Sequence, residues 1–170
     1  MVFKVVGNKE TVLYNFKGMP NGDTPNSGLT RDARGNFYGV TAFGGDYDDG
    51  AAFELSKGKE RVLYSFGQPH DGTQPNSRLV RDAEGKLYGT TVEGYEASAG
   101  VVFEIATDGT ETILHTFCSE SNCTDGEYPY GDLIMDGQGN LYGTTADGGA
   151  HGYGVIFKIS TVPVSDQPTQ

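Results

Sequence analysis

The stretch Gly139-Asn140-Leu141-Tyr142-Gly143-Thr144-Thr145 decides the fold, because the chain contains it three times. The other copies are Gly35-Asn36-Phe37-Tyr38-Gly39-Val40-Thr41 and Gly85-Lys86-Leu87-Tyr88-Gly89-Thr90-Thr91. A glycine turn followed by aromatic and β-branched residues is typical of a turn that leads into a strand. Recurrence at a spacing of about fifty residues predicts a protein built from tandem repeats.

The similarity extends over the whole repeat and predicts four strands in each unit. In one complete unit we name them A (Leu79–Asp82), B (Lys86–Val92), C (Gly100–Ala106) and D (Glu111–Phe117). Turns of the Asp-x-x-Gly type join A to B, where aspartate accepts backbone N–H bonds and glycine takes positive φ. Small sheets that are apolar on both faces must be buried between neighbours, as propeller blades are. The predicted fold is all-β, with β-propeller blades of four antiparallel strands.

The repeats predict one domain with about three blades. The approximate bounds are 2–51, 52–101 and 102–155, followed by a partial strand at 156–160 and a flexible tail at 161–170. Three blades are too few to close a ring, since propellers have about four to eight. We therefore expect a head-to-tail homodimer with a six-bladed ring, in which the N-terminal D strand completes the partner's C-terminal blade. One C strand per chain is surplus, either Val2–Val6 or Gly154–Ser160.

Composition and charge exclude several classes of partner. The formal net charge is −11, whereas nucleic acid and anionic membranes bind cationic surfaces. No apolar run reaches membrane-spanning length, so we expect no insertion into a membrane. The first residues do not form a signal peptide, and because such a segment can be removed, the compartment stays open on this evidence.

The two cysteines, Cys118 and Cys123, stand in one loop. We favour a local disulfide over free thiols, and a disulfide would indicate an oxidising compartment. A metal site is the weaker alternative, because no histidine or second cysteine pair stands at ligand spacing.

The repeat resembles a known family. Its pattern is Leu-Tyr-x-Phe, then Asp-Gly-x-x-Pro-x-x-x-Leu-x-x-Asp-x-x-Gly-Asn-Leu-Tyr-Gly-Thr-Thr, then Gly-Gly and Gly-x-Val-Phe. This is similar to the Gloeo/Verruco-type tandem repeat of bacterial, mostly exported or surface-anchored proteins, over about residues 2–160. The resemblance implies a propeller-like β fold and an extracytoplasmic location (secreted, periplasmic or surface-anchored), and it implies no reaction. Tyr95, Lys86 and Asn21 depart from the pattern in loops and turns.

The predicted strand order places the long loops on one side, which we call the long-loop face. It consists of the D-to-A loops (17–28, 67–78, 118–132) and the B-to-C loops (44–50, 93–100, 147–154). Long loops on a rigid scaffold are where binding sites are usually built. Lys17 and Arg78 are the basic residues of this face, and its acids are Asp23, Asp46, Asp48, Asp49, Asp71, Glu93, Glu96, Glu120, Asp125, Glu127, Asp132 and Asp147.

Tyrosines among these acids predict a ligand rich in hydroxyl groups or positive charge. Carboxylates accept hydrogen bonds from sugar hydroxyls, and aromatic rings stack on sugar faces. We interpret the chain as an exported module that binds carbohydrate or a protein partner. The ligand-binding candidates are Tyr95, Tyr128, Tyr130, Asp132 and Tyr153. In the alternative interpretation the acidic face serves solubility alone.

A second interpretation is an enzyme, a hydrolase or lyase acting on a glycan or a lactone. Carboxylates and histidines at the ring centre would perform the acid–base chemistry. The candidates are His70, Asp71, Glu93, Glu127, Asp147 and His151. No P-loop, nucleophile elbow, zinc signature or dinucleotide fingerprint occurs in the sequence. A third interpretation is a structural fragment of a longer repeat array.

Calcium is the one cofactor that the sequence suggests. Asp46, Asp48 and Asp49 offer hard oxygen ligands beside Gly50, as calcium loops do. The segment lacks the bidentate glutamate of the EF-hand pattern, and the other repeats do not reproduce its acids.

Overall fold

The computed structural model describes residues 1–69, 71–94 and 99–161. Its strands are β1 (Val2–Val6), β2 (Lys9–Tyr14), β3 (Gly22–Asp23), β4 (Thr30–Arg31), β5 (Phe37–Thr41), β6 (Phe43–Gly44), β7 (Ala51–Ser56), β8 (Lys59–Ser65), β9 (Gly72–Pro75), β10 (Val80–Arg81), β11 (Leu87–Gly94), β12 (Val101–Ile105), β13 (Glu111–Thr116), β14 (Ile134–Met135), β15 (Asn140–Thr144) and β16 (Ile156–Ser160). The helical element of this part of the chain is a short 3₁₀ turn at Ser121–Cys123. No helix in the same ranges is long and apolar enough to cross a membrane. The prediction of an all-β chain is confirmed.

The strands form four main sheets in which neighbours run antiparallel. Sheet I is the hairpin β1-β2, sheet II has the order β4-β5-β7-β8, sheet III the order β10-β11-β12-β13, and sheet IV the order β14-β15-β16. Sheets II and III therefore have the predicted A-B-C-D order, whereas sheet I has C and D, and sheet IV has A, B and C. The ring completed by a second chain stays a prediction.

The C–D hairpins share one register, so residues can be compared from repeat to repeat. The equivalent pairs are Phe3 with Val12, Phe53 with Val62, and Phe103 with Ile113. An irregularity in the ladder precedes the phenylalanine each time, and bulges of this kind strengthen the twist of a hairpin.

Neighbouring sheets pack face to face, and a group of three aromatic rings recurs at each interface. We call the interface between two neighbouring sheets a seam. At the first seam, Phe16 lies between Tyr14 and Phe53, with ring centroids 5.3 and 5.0 Å apart. The equivalent groups at the next two seams are Tyr64-Phe66-Phe103 and His115-Phe117-Phe157. The two phenylalanines of each group belong to one contiguous apolar cluster, so the core runs from sheet I to sheet IV as three successive seams.

The second glycine of the repeated motif allows two side chains to meet across strand B. A Cβ atom on Gly89 would lie 2.6 Å from Cζ of Phe103 and 2.9 Å from Cδ2 of Leu79. Gly39 and Gly143 are equally crowded by the phenylalanine and leucine of their own sheets. Glycine is required here because the A-strand leucine and C-strand phenylalanine pack directly over its backbone.

The aspartates of the A-to-B turns hold those turns together, as predicted. Asp136 accepts hydrogen bonds from the Asn140 N–H (2.9 Å), the Asn140 side-chain amide (2.7 Å) and the Tyr142 hydroxyl (2.9 Å). The two bonds from Asn140 are the main reason that the pKa of Asp136 is well below its ordinary value. Asp32 and Asp82 accept equivalent bonds in their own repeats. The motif tyrosine thus reaches back to the aspartate of the turn that precedes it.

Candidate binding surface

Short pairings beyond the four sheets fasten the long loops to one another. In the first repeat β3 pairs with β6, and in the second β9 pairs with the far end of β11. In the third repeat Glu127 and Asp147 form an isolated bridge. Each D-to-A loop is therefore held against the end of strand B or the loop that follows it. Sequence periodicity could not predict these contacts. The paired segments are only a few residues long, and in glycine-rich loops they show no alternation of apolar and polar residues.

Several acids of the long-loop face accept hydrogen bonds from their own loops. Asp125 accepts them from the Ser119 N–H (3.0 Å), the Ser119 hydroxyl (2.8 Å) and the Glu120 N–H (3.3 Å). Burial alone would raise the pKa of Asp125, but these bonds outweigh burial and lower it. Asp48 accepts the Gly44 N–H at 3.0 Å. Part of the acidity of this face therefore stabilises the fold.

Asp71 is buried, with 4% of its surface exposed. It accepts hydrogen bonds from the Tyr64 hydroxyl (2.9 Å) and the Gly67 N–H (3.1 Å). Burial raises the pKa of Asp71 despite these bonds, and the charge of Asp49 adds to the increase. The structure thus places this catalytic candidate inside the D-to-A loop rather than on the open surface.

Glu111 in β13 is a titratable residue that the sequence analysis did not single out. Burial, and then the charge of Asp71, raise the pKa of Glu111 to about 7. Its Oε1 atom is buried without a hydrogen-bond partner. The counterpart one repeat earlier, Glu60, accepts a hydrogen bond from the Tyr14 hydroxyl. Recurrence at this strand D position is the signal that could have identified Glu111.

The other catalytic candidates that the structure describes lie in β11 and in the two long loops of the third repeat. Glu127 and Asp147 meet through their backbones, with N–H to O distances of 2.8 and 3.1 Å. Glu93 is exposed near the end of β11, and His151 is exposed in the third B-to-C loop. His70 lies outside the described residues.

Asp132 is the acidic member of the predicted ligand-binding set. Its Oδ1 accepts the Arg78 N–H at 2.7 Å, and its Oδ2 lies 3.6 Å from Arg78 Nε. Both side chains are about half exposed, so this ion pair connects the D-to-A loops of two repeats at the surface. Exposed pairs of this kind contribute little stability and leave the carboxylate accessible to solvent.

The three calcium candidates lie in the first B-to-C loop. Asp46 and Asp48 are exposed, and Asp49 is half-buried. In the ranges that the structure covers, the three residues whose candidate ligand atoms all lie within 4.8 Å of one another are Cys118, Cys123 and Glu127. The three aspartates do not belong to this group.

The two sulfur atoms of that group are already bonded to each other. Cys118 and Cys123 form a disulfide, the alternative that the sequence analysis favoured. A disulfide sulfur is not a thiolate and does not ligate a metal. The loop is therefore closed covalently, not by an ion.

Tyrosine rings remain exposed on the long-loop face. The exposed fractions are 51% for Tyr47, 55% for Tyr130 and 90% for Tyr153, whereas Tyr128 is half-buried. Tyr95 lies outside the described residues. A cavity of about 740 Å³ lies on the opposite side, between the A-to-B turns of sheets III and IV.

The sequence matches the family model described as Gloeobacter/Verrucomicrobia repeat over residues 1–166. No curated protein matches it. Among solved structures, a putative oxidoreductase (glucose dehydrogenase) from Thermus thermophilus is similar, with a TM-score of 0.51, 12% identity and coverage of 84% of this chain and 47% of that one. A luciferin-regenerating enzyme is also similar, with a TM-score of 0.53, 17% identity and coverage of 84% and 46%. The chain spans just under half the length of either structure, and the likeness concerns the fold alone.

Proposed function

Since the chain belongs to the Gloeobacter/Verrucomicrobia repeat family, we propose that it is an exported module that binds carbohydrate through its long-loop face. The observation that carries this proposal is the exposure of Tyr47, Tyr130 and Tyr153 among acidic loops. Aromatic rings stack on the apolar faces of sugars, and carboxylates accept hydrogen bonds from sugar hydroxyls. The Cys118–Cys123 disulfide supports export, because disulfides persist in oxidising compartments.

Backbone hydrogen bonds fix the part of this surface that belongs to the third repeat. The Tyr130 N–H donates to the Tyr128 carbonyl, which also accepts the Ala146 N–H, each at 3.0 Å. These bonds hold the D-to-A loop against the start of the B-to-C loop that presents Tyr153. A surface fixed in this way loses little conformational entropy when a ligand binds.

Titration calorimetry against neutral and acidic oligosaccharides tests the proposal. We expect saturable binding without turnover, and Tyr130→Ala or Tyr153→Ala to weaken it about tenfold through loss of ring stacking. Phe3→Ala is the control, because it removes a ring of similar exposure (52%) from sheet I. Failure to bind any oligosaccharide, or equal weakening by the control, would contradict the proposal.

A second candidate function is an enzyme acting on a glycan or a lactone. The favouring observation is that Asp71 and Glu111 interact electrostatically and both have raised pKa values, as general acids often do. Both similar structures are enzymes by name, which supports keeping this candidate. Turnover of a glycan or lactone that Asp71→Asn or His151→Ala abolishes, with unchanged thermal unfolding, would favour the enzyme over the binding module.

A further inference from the structure

A groove runs beside β16, the last strand of sheet IV. It has a volume of about 380 Å³, and its lining includes His115, Asp125 and the strand edge from Val155 to Ile159. In sheets II and III the equivalent place is taken by the D strands β8 and β13. We propose that this groove is an interaction surface that accepts β2 from a second copy of the chain, with Glu10 of that copy paired to His115.

The seams within the chain show that a glutamate of the next D strand interacts with the residue at the tyrosine position. At the first seam the Tyr14 hydroxyl donates to Glu60 of the next D strand. At the second, the Tyr64 hydroxyl donates to Asp71 instead, and Glu111, again on the next D strand, acts on Tyr64 through its charge. The third seam has His115 at the tyrosine position. In the part of sheet IV that the structure describes, no D strand supplies the corresponding glutamate.

Strand β2 carries a glutamate at the required place. Glu10 stands three residues before Leu13, as Glu60 and Glu111 stand before their own leucines, Leu63 and Leu114. The occupant that we propose is therefore β2 of a second copy, whose glutamate matches those of the internal seams.

The register of the other hairpins specifies how the strands would pair. Thr11 pairs with Lys4 in sheet I, and Lys158 occupies the position of Lys4 in sheet IV. The segments Val2-Phe3-Lys4-Val5 and Ile156-Phe157-Lys158-Ile159 have the same pattern, so β16 can replace β1 beside β2. Thr11 of the second copy would then lie opposite Lys158.

The strand displaced by this exchange is β1 rather than β16. Val2 is the only buried residue of β1, whereas Phe3 and Val5 are 52% and 57% exposed. In β16, Phe157 packs against Phe117 with ring centroids 5.0 Å apart and belongs to the second seam-spanning cluster with Ile159. Losing β1 therefore exposes much less apolar surface than losing β16.

Charged side chains surround the His115 imidazole in this groove. Asp125 lies 3.4 Å from Nε2, and Glu120 and Lys158 belong to the groove lining. Glu10 of the second copy would add a carboxylate that accepts a hydrogen bond from the imidazole N–H.

Sedimentation of the full chain at several concentrations tests the contact. We expect a dimer that Glu10→Gln weakens about tenfold, because it replaces an ionised hydrogen-bond acceptor by a neutral one. Glu84→Gln, an exposed glutamate in the A-to-B turn of sheet III, should have no effect. His115→Tyr, which restores the residue of the first two seams, should keep the dimer.

Cross-linking locates the interface independently of affinity. The double variant Thr11→Cys/Lys158→Cys should form a covalent dimer on mild oxidation, and Thr11→Cys/Glu84→Cys should not. A chain that stays monomeric at the highest soluble concentration would overturn the proposal. So would a dimer that is indifferent to Glu10→Gln and does not cross-link between positions 11 and 158.

Discussion

The Tyr14 hydroxyl donates a 2.6 Å hydrogen bond to Glu60, which joins sheet I to the outer strand of sheet II. The same carboxylate accepts the Gly22 N–H at 3.2 Å. The bond to Glu60 is the main reason that the pKa of Tyr14 is raised to about 12. Polar contacts between D strands thus accompany the aromatic packing at the seams.

Tyr14→Phe should lower the free energy of unfolding by about 1–2 kcal/mol, because it removes this bond and leaves Glu60 short of a donor. Urea denaturation followed by circular dichroism measures the change. Tyr153→Phe is the matched control, since Tyr153 is 90% exposed and its hydroxyl should be dispensable for stability. Equal stability of the two variants would show that the seam does not depend on the hydroxyl.

Glu111→Gln should stabilise the protein above about pH 7. The folded-state pKa of Glu111 is about 7, above its ordinary 4.5, so the folded chain holds this proton more tightly than the unfolded chain. The stability contributed by the protonated form is therefore complete below about pH 4.5 and is lost as the pH rises to about 7. We expect a gain of about 1–2 kcal/mol at pH 8, after allowance for partial solvent exposure.

Denaturation midpoints at several pH values measure this gain. The variant should also show a flatter dependence on pH between about 4.5 and 7. Glu84→Gln, an exposed glutamate, controls for the change in net charge. If wild type and Glu111→Gln kept a constant difference across that range, the cause would not be the titration of Glu111.

Gly89→Ala should destabilise the protein by about 1–3 kcal/mol through overpacking. The new methyl group would meet Phe103 and Leu79 at distances of 2.6 and 2.9 Å. Gly137→Ala is the control, because a Cβ there meets nothing within 4 Å. Thermal unfolding compares the two, and Phe103→Leu in the Gly89→Ala background should recover part of the loss.

Asp136→Ala should lower the melting temperature at neutral pH and reduce the sensitivity of the fold to acid. The pKa of Asp136 is depressed mainly by its bonds from Asn140, so its stabilising effect is present above the ordinary value of 3.8 and is lost as the pH falls below it. Melting scans at about pH 7 and about pH 3 measure both effects. Gln138→Ala in the same turn is the control, and an identical loss there would contradict the role of the carboxylate.

The strand order and the turns were predictable because they depend on local chemistry that each repeat restates. A glycine, an aspartate and alternating apolar residues near Tyr142 specify turn, strand and hydrogen bond within a few positions. The candidate site was less predictable. Exposed tyrosines could be expected in the loops, but burial of Asp71 depends on how its loop folds back onto Tyr64. The raised pKa of Glu111 depends first on burial between the sheets and then on a carboxylate forty residues away in the sequence.

By itself, the sequence determined that the chain is all-β and that its sheets repeat with the order A to D. These features follow from backbone conformation and side-chain periodicity, which are properties of short segments. The tertiary structure alone decided which carboxylates are buried at the seams, which tyrosines stay open to solvent, and that Phe157 and Ile159 of β16 pack against the core while Phe3 and Val5 of β1 stay exposed. Burial depends on which sheet lies opposite, and contacts between distant segments set the environment of each charge.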